Sequence, residues 1–483
     1  MRQQSTLPSS PSSHSLACWL FLKILAVIYF IAFVSFGHQI LGLIGSHGLL
    51  PIADYLRDAH NALGTAAYRD LPCIFWLDSS DAMLQAVAVA GAVFAISLFF
   101  NTARRITLVL LFILYLSLSS AGQTFMSFQW DALLLETGFL AIFLTAERWR
   151  VWLLWWLLFR LIFLSGSVKL LSHDPTWRSL TALDYHYWTQ PLPTPIAWYM
   201  AQLPGWFQAM SVGFVFVVEL GAPFLIFAGR RLRRVAAAAI ASLQILILIT
   251  GNYTFFNWLT LALCVLLIDD ALWQRVLSAR FAEHARRLFP VKAPSGIQRD
   301  ITIALVIFVG TVSGAQLLET FLGVRPWPLS TIQNLIAPFQ VVNTYGLFAS
   351  MTTSRPEIII EGSNDGSQWR EYSFRYKPGD VKRSPPWVAP YQPRLDWQMW
   401  FAALGNYQQN PWFVSLMRHL LAGTPQVLAL LQTDPFPGAP PRLIRAQLYD
   451  YHFTNFSERH TSGAWWRRTP VGMYFPAVSL SNR

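Results

Sequence analysis

The chain has 483 residues, of which 54% are hydrophobic and 13% charged, with 36 Lys+Arg against 25 Asp+Glu and a formal net charge of +11. Soluble globular chains carry about 25% charged residues, and the mean hydropathy here is +0.38, so this composition excludes both an ordinary soluble enzyme and a disordered chain. The basic residues lie between apolar runs, the pattern of loops flanking membrane spans and not of a nucleic-acid surface.

The chain starts with a polar tail, residues 1–15, rich in Ser, Pro and Gln and expected to be disordered. The apolar run 16–36 is too long for the core of a signal peptide and reads as a retained span. Eight further runs approach the ~20 residues a bilayer needs: 82–100, 106–122, 131–146, 151–171, 209–228, 235–251, 254–268 and 301–321. The fold class expected is therefore a polytopic all-α transmembrane bundle of about nine spans over 16–322. A soluble α+β, strand-rich C-terminal domain follows over 323–483.

Every second loop is basic. Arg104 and Arg105, Arg148 and Arg150, Arg230 to Arg234, and the linker 269–300 with Arg275, Arg280, Arg286 and Arg287 alternate with loops poor in Lys and Arg. The positive-inside rule then puts the N-terminus in the cytoplasm and the C-terminal domain on the periplasmic or lumenal side. That corresponds to a bacterial inner membrane or, in a eukaryote, the endoplasmic reticulum. Within the linker, Leu272, Val276, Phe281 and Leu288 recur among arginines, as in an amphipathic helix on the inner membrane surface.

The C-terminal region changes period. Glu357 to Gly362 reads as a strand, Asn364-Asp365-Gly366 as a turn, and Tyr372, Phe374 and Tyr376 as a second strand. Ile444, Ala446 and Leu448 alternate likewise, with helices near 396–404 and 411–421 between. Cys18, Cys73 and Cys264 suit neither a disulfide framework nor a zinc site.

Ionisable residues inside spans are costly unless partnered. Glu136 lies roughly 7 Å deep at 1.5 Å per residue, similar to Lys169 near the outer end of its span, so these two are expected to pair. Arg160 and Glu219 both fall near the midplane and form a second expected structural ion pair.

The outward loops contain Trp130 and Asp131; His173, Trp177 and Arg178; Tyr185, His186 and Tyr187; and Asn252 and Asn257. All face one side and are expected to build a client-binding cavity roofed by the C-terminal domain. His38, His47, His173 and His186 lack metal-ligand spacing, so no metal and no cofactor are expected. Nucleophile-elbow, zinc-protease, phosphate-loop and dinucleotide signatures are absent. Asn252-Tyr253-Thr254 and Asn455-Phe456-Ser457 are glycosylation sequons.

Several blocks carry a resemblance. They are residues 42–51, with Gly45-Ser46-His47-Gly48; 127–140, with Trp130-Asp131-Ala132-Leu133-Leu134-Leu135-Glu136; Lys169 to Arg178; and Tyr185 to Pro191. Gly251 to Asn257, Asn343-Thr344-Tyr345-Gly346-Leu347-Phe348 and Glu361 to Gly366 complete the set. In this order they resemble the lipase maturation factor family, whose animal members are polytopic proteins of the endoplasmic reticulum. The resemblance implies a chaperone-like maturation factor and not an enzyme. Its partners would be a secreted lipase or other exported client and membrane lipids, without nucleic acid. The Arg-rich, Lys-poor composition and the compact, cysteine-free tail suit a bacterial-type member.

A second, distant resemblance runs from Arg160 to Trp177. It is similar to the membrane core of vitamin K-dependent carboxylases, where a lysine in the matching segment is the active-site base. This implies an alternative: a membrane enzyme acting on a lipid, quinone or exported protein in the outward cavity, with Lys169 and Glu136 as catalytic pair.

Overall fold

A computed structural model describes residues 14–290 and 295–480; the expected disordered tail, up to residue 13, and the linker centre at 291–294 lie outside the described residues. All nine apolar runs fold as helices: α1 (Ser15–Gly37), α2 (Asp81–Phe99), α3 (Arg104–Ala121), α4 (Gln129–Ile142), α5 (Arg148–Leu171), α6 (Gly205–Leu225), α7 (Arg230–Thr250), α8 (Phe256–Val265) and α9 (Gly296–Leu322). Seven are long and apolar enough to cross a membrane by length and composition, and an eighth span forms if α8 and Asp270–Val276, bent by 108°, count as one. The exception is α4, whose 14 residues rise about 21 Å at 1.5 Å per residue, less than the ~30 Å hydrocarbon core. The chain is an integral multi-pass membrane protein.

Burial orders the bundle. The most apolar window of α5 is 78% buried and that of α9 only 28%, so α5 is the central helix and α9 a lipid-facing one. Asp270 binds α1 at its start: its carboxylate accepts the N–H groups of Leu16 at 2.9 Å and Ala17 at 3.2 Å, satisfying orphan donors at a helix N-terminus. The linker forms two short helices, Asp270–Val276 and Ala279–Leu288, the second burying Ala282 and Ala285 and exposing Phe281. This agrees with the amphipathic reading.

The C-terminal region holds an antiparallel sheet in the order β2 (Arg370–Glu371), β1 (Pro356–Ser363), β3 (Leu443–Phe453) and β4 (Trp466–Val478). Ile358 faces Leu448 and Ile360 faces Ala446, the alternating residues that mark both strands in the sequence. Helices α10 (Arg394–Ala403) and α11 (Pro411–Ala422) cover it. The strand expected over Tyr372–Tyr376 is corrected. The last bond to β1 runs from the Tyr372 N–H to the Ile360 carbonyl at 2.9 Å; the Ser373 carbonyl then accepts from the N–H of Gln432, and the N–H groups of Tyr376 and Lys377 turn to the Asp396 carboxylate. Edge strand β4 carries Pro470, which an edge tolerates because no ladder bond is lost on its open side.

The two regions share one apolar core. Phe128 and Trp130 stack at 4.5 Å between ring centroids, and Trp397 of α10 stands edge-on to Trp130 at 4.8 Å. Phe125 meets Trp412 in the same way.

Candidate functional site

Three ionic centres are buried in the protein; the first and third tie the bundle to the C-terminal region, and the second lies between bundle helices. In the first, Glu136 of α4, fully buried, pairs with Arg160 of α5. Its second oxygen accepts the Asn343 N–H at 2.8 Å, the Asn343 side-chain amide at 3.1 Å and the Tyr345 hydroxyl at 2.8 Å. Arg160 in turn donates to the Asn343 carbonyl at 2.8 Å. Segment 343–345 is thus clamped into the bundle through one carboxylate and one guanidinium.

In the second, Lys169 Nζ donates to both oxygens of Glu219, at 2.7 and 3.0 Å, and to the Ser165 carbonyl at 3.0 Å. It also sits 5.3 Å from the Trp177 ring centroid. Glu219 lies in a π-helical turn, Val217–Gly221, just before Pro223, the type of helix irregularity that recurs at functional sites. Gly166 makes the approach possible, because a Cβ there would stand 2.8 Å from the Glu219 Cβ.

In the third, Asp131 accepts from Arg394 Nη1 at 2.6 Å and Nη2 at 2.8 Å, and from the Tyr115 hydroxyl at 2.6 Å. Burial works against the Arg394 charge, but Asp131 outweighs it and holds the guanidinium above its ordinary range. This bidentate, charge-assisted pair joins α4 to α10. A related knot ties the C-terminal region to the segment between α5 and α6, where Arg355 and Lys377 flank Glu357 and Arg355 donates to the carbonyls of Trp188, Gln190 and Pro191.

The expected pairing of spans is therefore corrected. Arg160 does not meet Glu219, and Lys169 does not meet Glu136; the partners are exchanged. Counting residues along separate helices gives depth but not azimuth, and α5 presents Arg160 to α4 and Lys169 to α6.

The residues expected to line an outward cavity take several roles. Trp130 and Asp131 are consumed in the interface with α10. Asn252 donates to the carbonyls of Leu192, Pro193 and Pro386 and accepts from the N–H groups of Val388 and Ala389. Asn257 donates to Gln244 at 2.7 Å. His173 and Arg178 touch each other on the surface, and Trp177 donates to the Phe348 carbonyl at 2.9 Å. Tyr185 packs against Trp188. Three of them, Asp131, Trp177 and Asn252, spend polar atoms on the C-terminal region, which closes the roof over those positions.

His186 and Tyr187 border an open space. A mainly apolar cleft of about 280 Å³ is lined by these two with Met200, Phe214, Val215 and Ile247 among others. His186 also faces the Tyr253 hydroxyl at 3.3 Å and the Phe348 ring. Burial pushes its imidazole down to about 4, with a further push from Lys169. Among the described residues no three His, Cys, Asp or Glu side chains converge as a metal site would.

Residues 16–275 match the family model "Lipase maturation factor transmembrane domain", and residues 341–476 match "Lipase maturation factor C-terminal domain". The chain belongs to the lipase maturation factor family. The chain is similar to chicken lipase maturation factor 2, 36% identical over 96% of this chain and 81% of that protein. It is likewise 36% identical to cattle lipase maturation factor 1, over 95% of this chain and 88% of that protein. Human lipase maturation factor 2 is also 36% identical, over 96% and 82%. No solved structure matches the chain. The two family regions meet at the centres described above: Glu136, Arg160 and Asp131 come from the first, Asn343, Tyr345 and Arg394 from the second.

Proposed function

We propose that this protein is a membrane-embedded maturation factor for exported proteins, lipases first among them. The N-terminus is cytoplasmic and the C-terminal domain outward, where it engages the client. The observation that carries this reading is the family match across both regions, since every relative named above is a lipase maturation factor. The alternation of basic loops supports the orientation. Exposed apolar side chains on edge strand β4, Val471 at 60% and Met473 at 61% relative exposure, supply a surface suited to an incompletely folded client.

The test is co-expression with a secreted lipase in a host lacking a family member. Activity per mass of secreted lipase rises with the intact chain under this reading. Unchanged specific activity refutes it.

The enzyme alternative, with Lys169 as base, draws support from the π-helical turn that carries its partner Glu219. It requires Lys169 to leave Glu219, because all three contacts of its nitrogen are spent. Lys169→Arg separates the readings: an arginine keeps the ion pair but cannot act as a base. Retained maturation activity in that variant favours the non-enzymatic role.

A further inference from the structure

At the basic end of the bundle a second cleft, about 710 Å³, opens between α1, α7, α8 and Asp270–Val276. Its walls are almost wholly apolar: Ile24, Val27, Ala238, Ala241, Trp258 and Val265 are typical. Val27 and Trp258 are 45% and 44% exposed, so the cleft faces the hydrocarbon. Ala241 lies seven residues beyond Arg234 on α7, about 10 Å at 1.5 Å per residue, which takes the cleft from the basic end most of the way through one ~15 Å leaflet. That is the reach of an acyl chain.

The charges at its mouth are positive. Lys23 lines the cleft about 12 Å along α1, and its stem carries the ammonium back to the Phe99 carbonyl at the end of α2, as snorkelling lysines do. Among the described residues it has no carboxylate partner; its other neighbours are the rings of Phe99 at 4.5 Å and Trp19 at 5.6 Å. Arg234 also lines the cleft and shares the single carboxylate of Asp269 with Arg230, at 2.9 and 2.5 Å. Two cations on one anion leave one positive charge in excess. Asp270, the acid next to Asp269, is engaged in capping α1.

We propose that this cleft is a binding site for an anionic phospholipid, its acyl chain along Ala238, Ala241 and Val265 and its phosphate between Lys23 and Arg234. A zwitterionic lipid fills the same apolar walls but gains nothing from the surplus charge. Each Lys or Arg near a phosphate contributes about fivefold in affinity at membrane surfaces, so a net preference of at least fivefold for the anionic headgroup follows.

The experiment uses the full chain purified in neutral detergent. Binding of dioleoyl phosphatidylglycerol and of dioleoyl phosphatidylcholine is compared by native mass spectrometry, with glycerol 3-phosphate as the chainless control. Phosphatidylglycerol is retained at least fivefold better, glycerol 3-phosphate is not retained, and Lys23→Gln removes about fivefold of the preference while Lys23→Arg keeps it. Ala241→Trp, which fills the cleft and leaves the cations in place, lowers retention of both lipids. Equal retention of the two lipids overturns the proposal, as does a preference that Lys23→Gln leaves undiminished or lipid binding that ignores Ala241→Trp. Retention of glycerol 3-phosphate on a par with the lipid also overturns it, in favour of a soluble phosphate site.

Discussion

The clamp at Glu136 lends itself to a mutant cycle. Glu136→Gln keeps an oxygen to accept from Asn343 and Tyr345 but removes the charge opposite Arg160, whose side chain is 1% exposed. Leaving one member of a buried pair uncompensated costs about 3–5 kcal/mol. Adding Arg160→Met removes the stranded cation. What then remains lost is chiefly the Arg160 bond to the Asn343 carbonyl at 2.8 Å, worth about 1 kcal/mol net. The double variant is therefore expected to be more stable than Glu136→Gln alone by about 2 kcal/mol or more. Reversible unfolding in mixed micelles gives the free energies, and limited proteolysis near 337–350 reports release of the clamped segment. A double variant as unstable as Glu136→Gln, or a harmless Glu136→Gln, refutes the clamp.

Other expectations follow the same physics. Lys169→Met, which strands Glu219 in the bundle, costs about 3–5 kcal/mol, and Lys169→Met with Glu219→Leu costs less; thermal unfolding of the variants decides. His186 titrates in the folded chain near 4, below its ordinary 6.5, so unfolded chains bind more protons between those values. Stability is then full above about pH 6.5 and declines as pH falls toward about 4; His186→Gln flattens that slope, and an unaltered slope contradicts the assignment. Translation into eukaryotic microsomes adds a glycan at Asn455, which is exposed at a helix start, and none at Asn252, whose amide is buried at 2% exposure. A gel shift abolished by Asn455→Gln fits the outward orientation, and no shift contradicts it.

Apolar runs are self-evident in a sequence because the bilayer demands about 20 of them in a row, so every span from Leu16 onward was legible. So were strands β1 and β3, from the run Ile358 to Ile360 and the alternation of Ile444, Ala446 and Leu448, though not their pairing. Glu136, Arg160, Lys169 and Glu219 stood out as charges within apolar runs. Their partners did not, because pairing depends on helix rotation, which hydropathy does not encode. Arg394 gave no signal at all: it follows Pro393 in an ordinary-looking loop, and only the fold brings it to Asp131. The outward loops carried the right residue types, but composition does not distinguish an open cavity from a docked interface. Asn252 illustrates this, its amide reading as a sequon and folding as the staple of a buried turn. Strand β4 was hidden by Pro470 and Gly472, which weaken a strand pattern that an edge position permits.

The central claim is that this chain raises the yield of active exported lipase. Its most direct test is deletion of the gene in the source organism, with secreted lipase activity measured per unit of lipase protein. Lipase protein is then still made but its specific activity falls, and both the intact gene and Lys169→Arg restore it. Specific activity equal to that of the parent strain would contradict the claim.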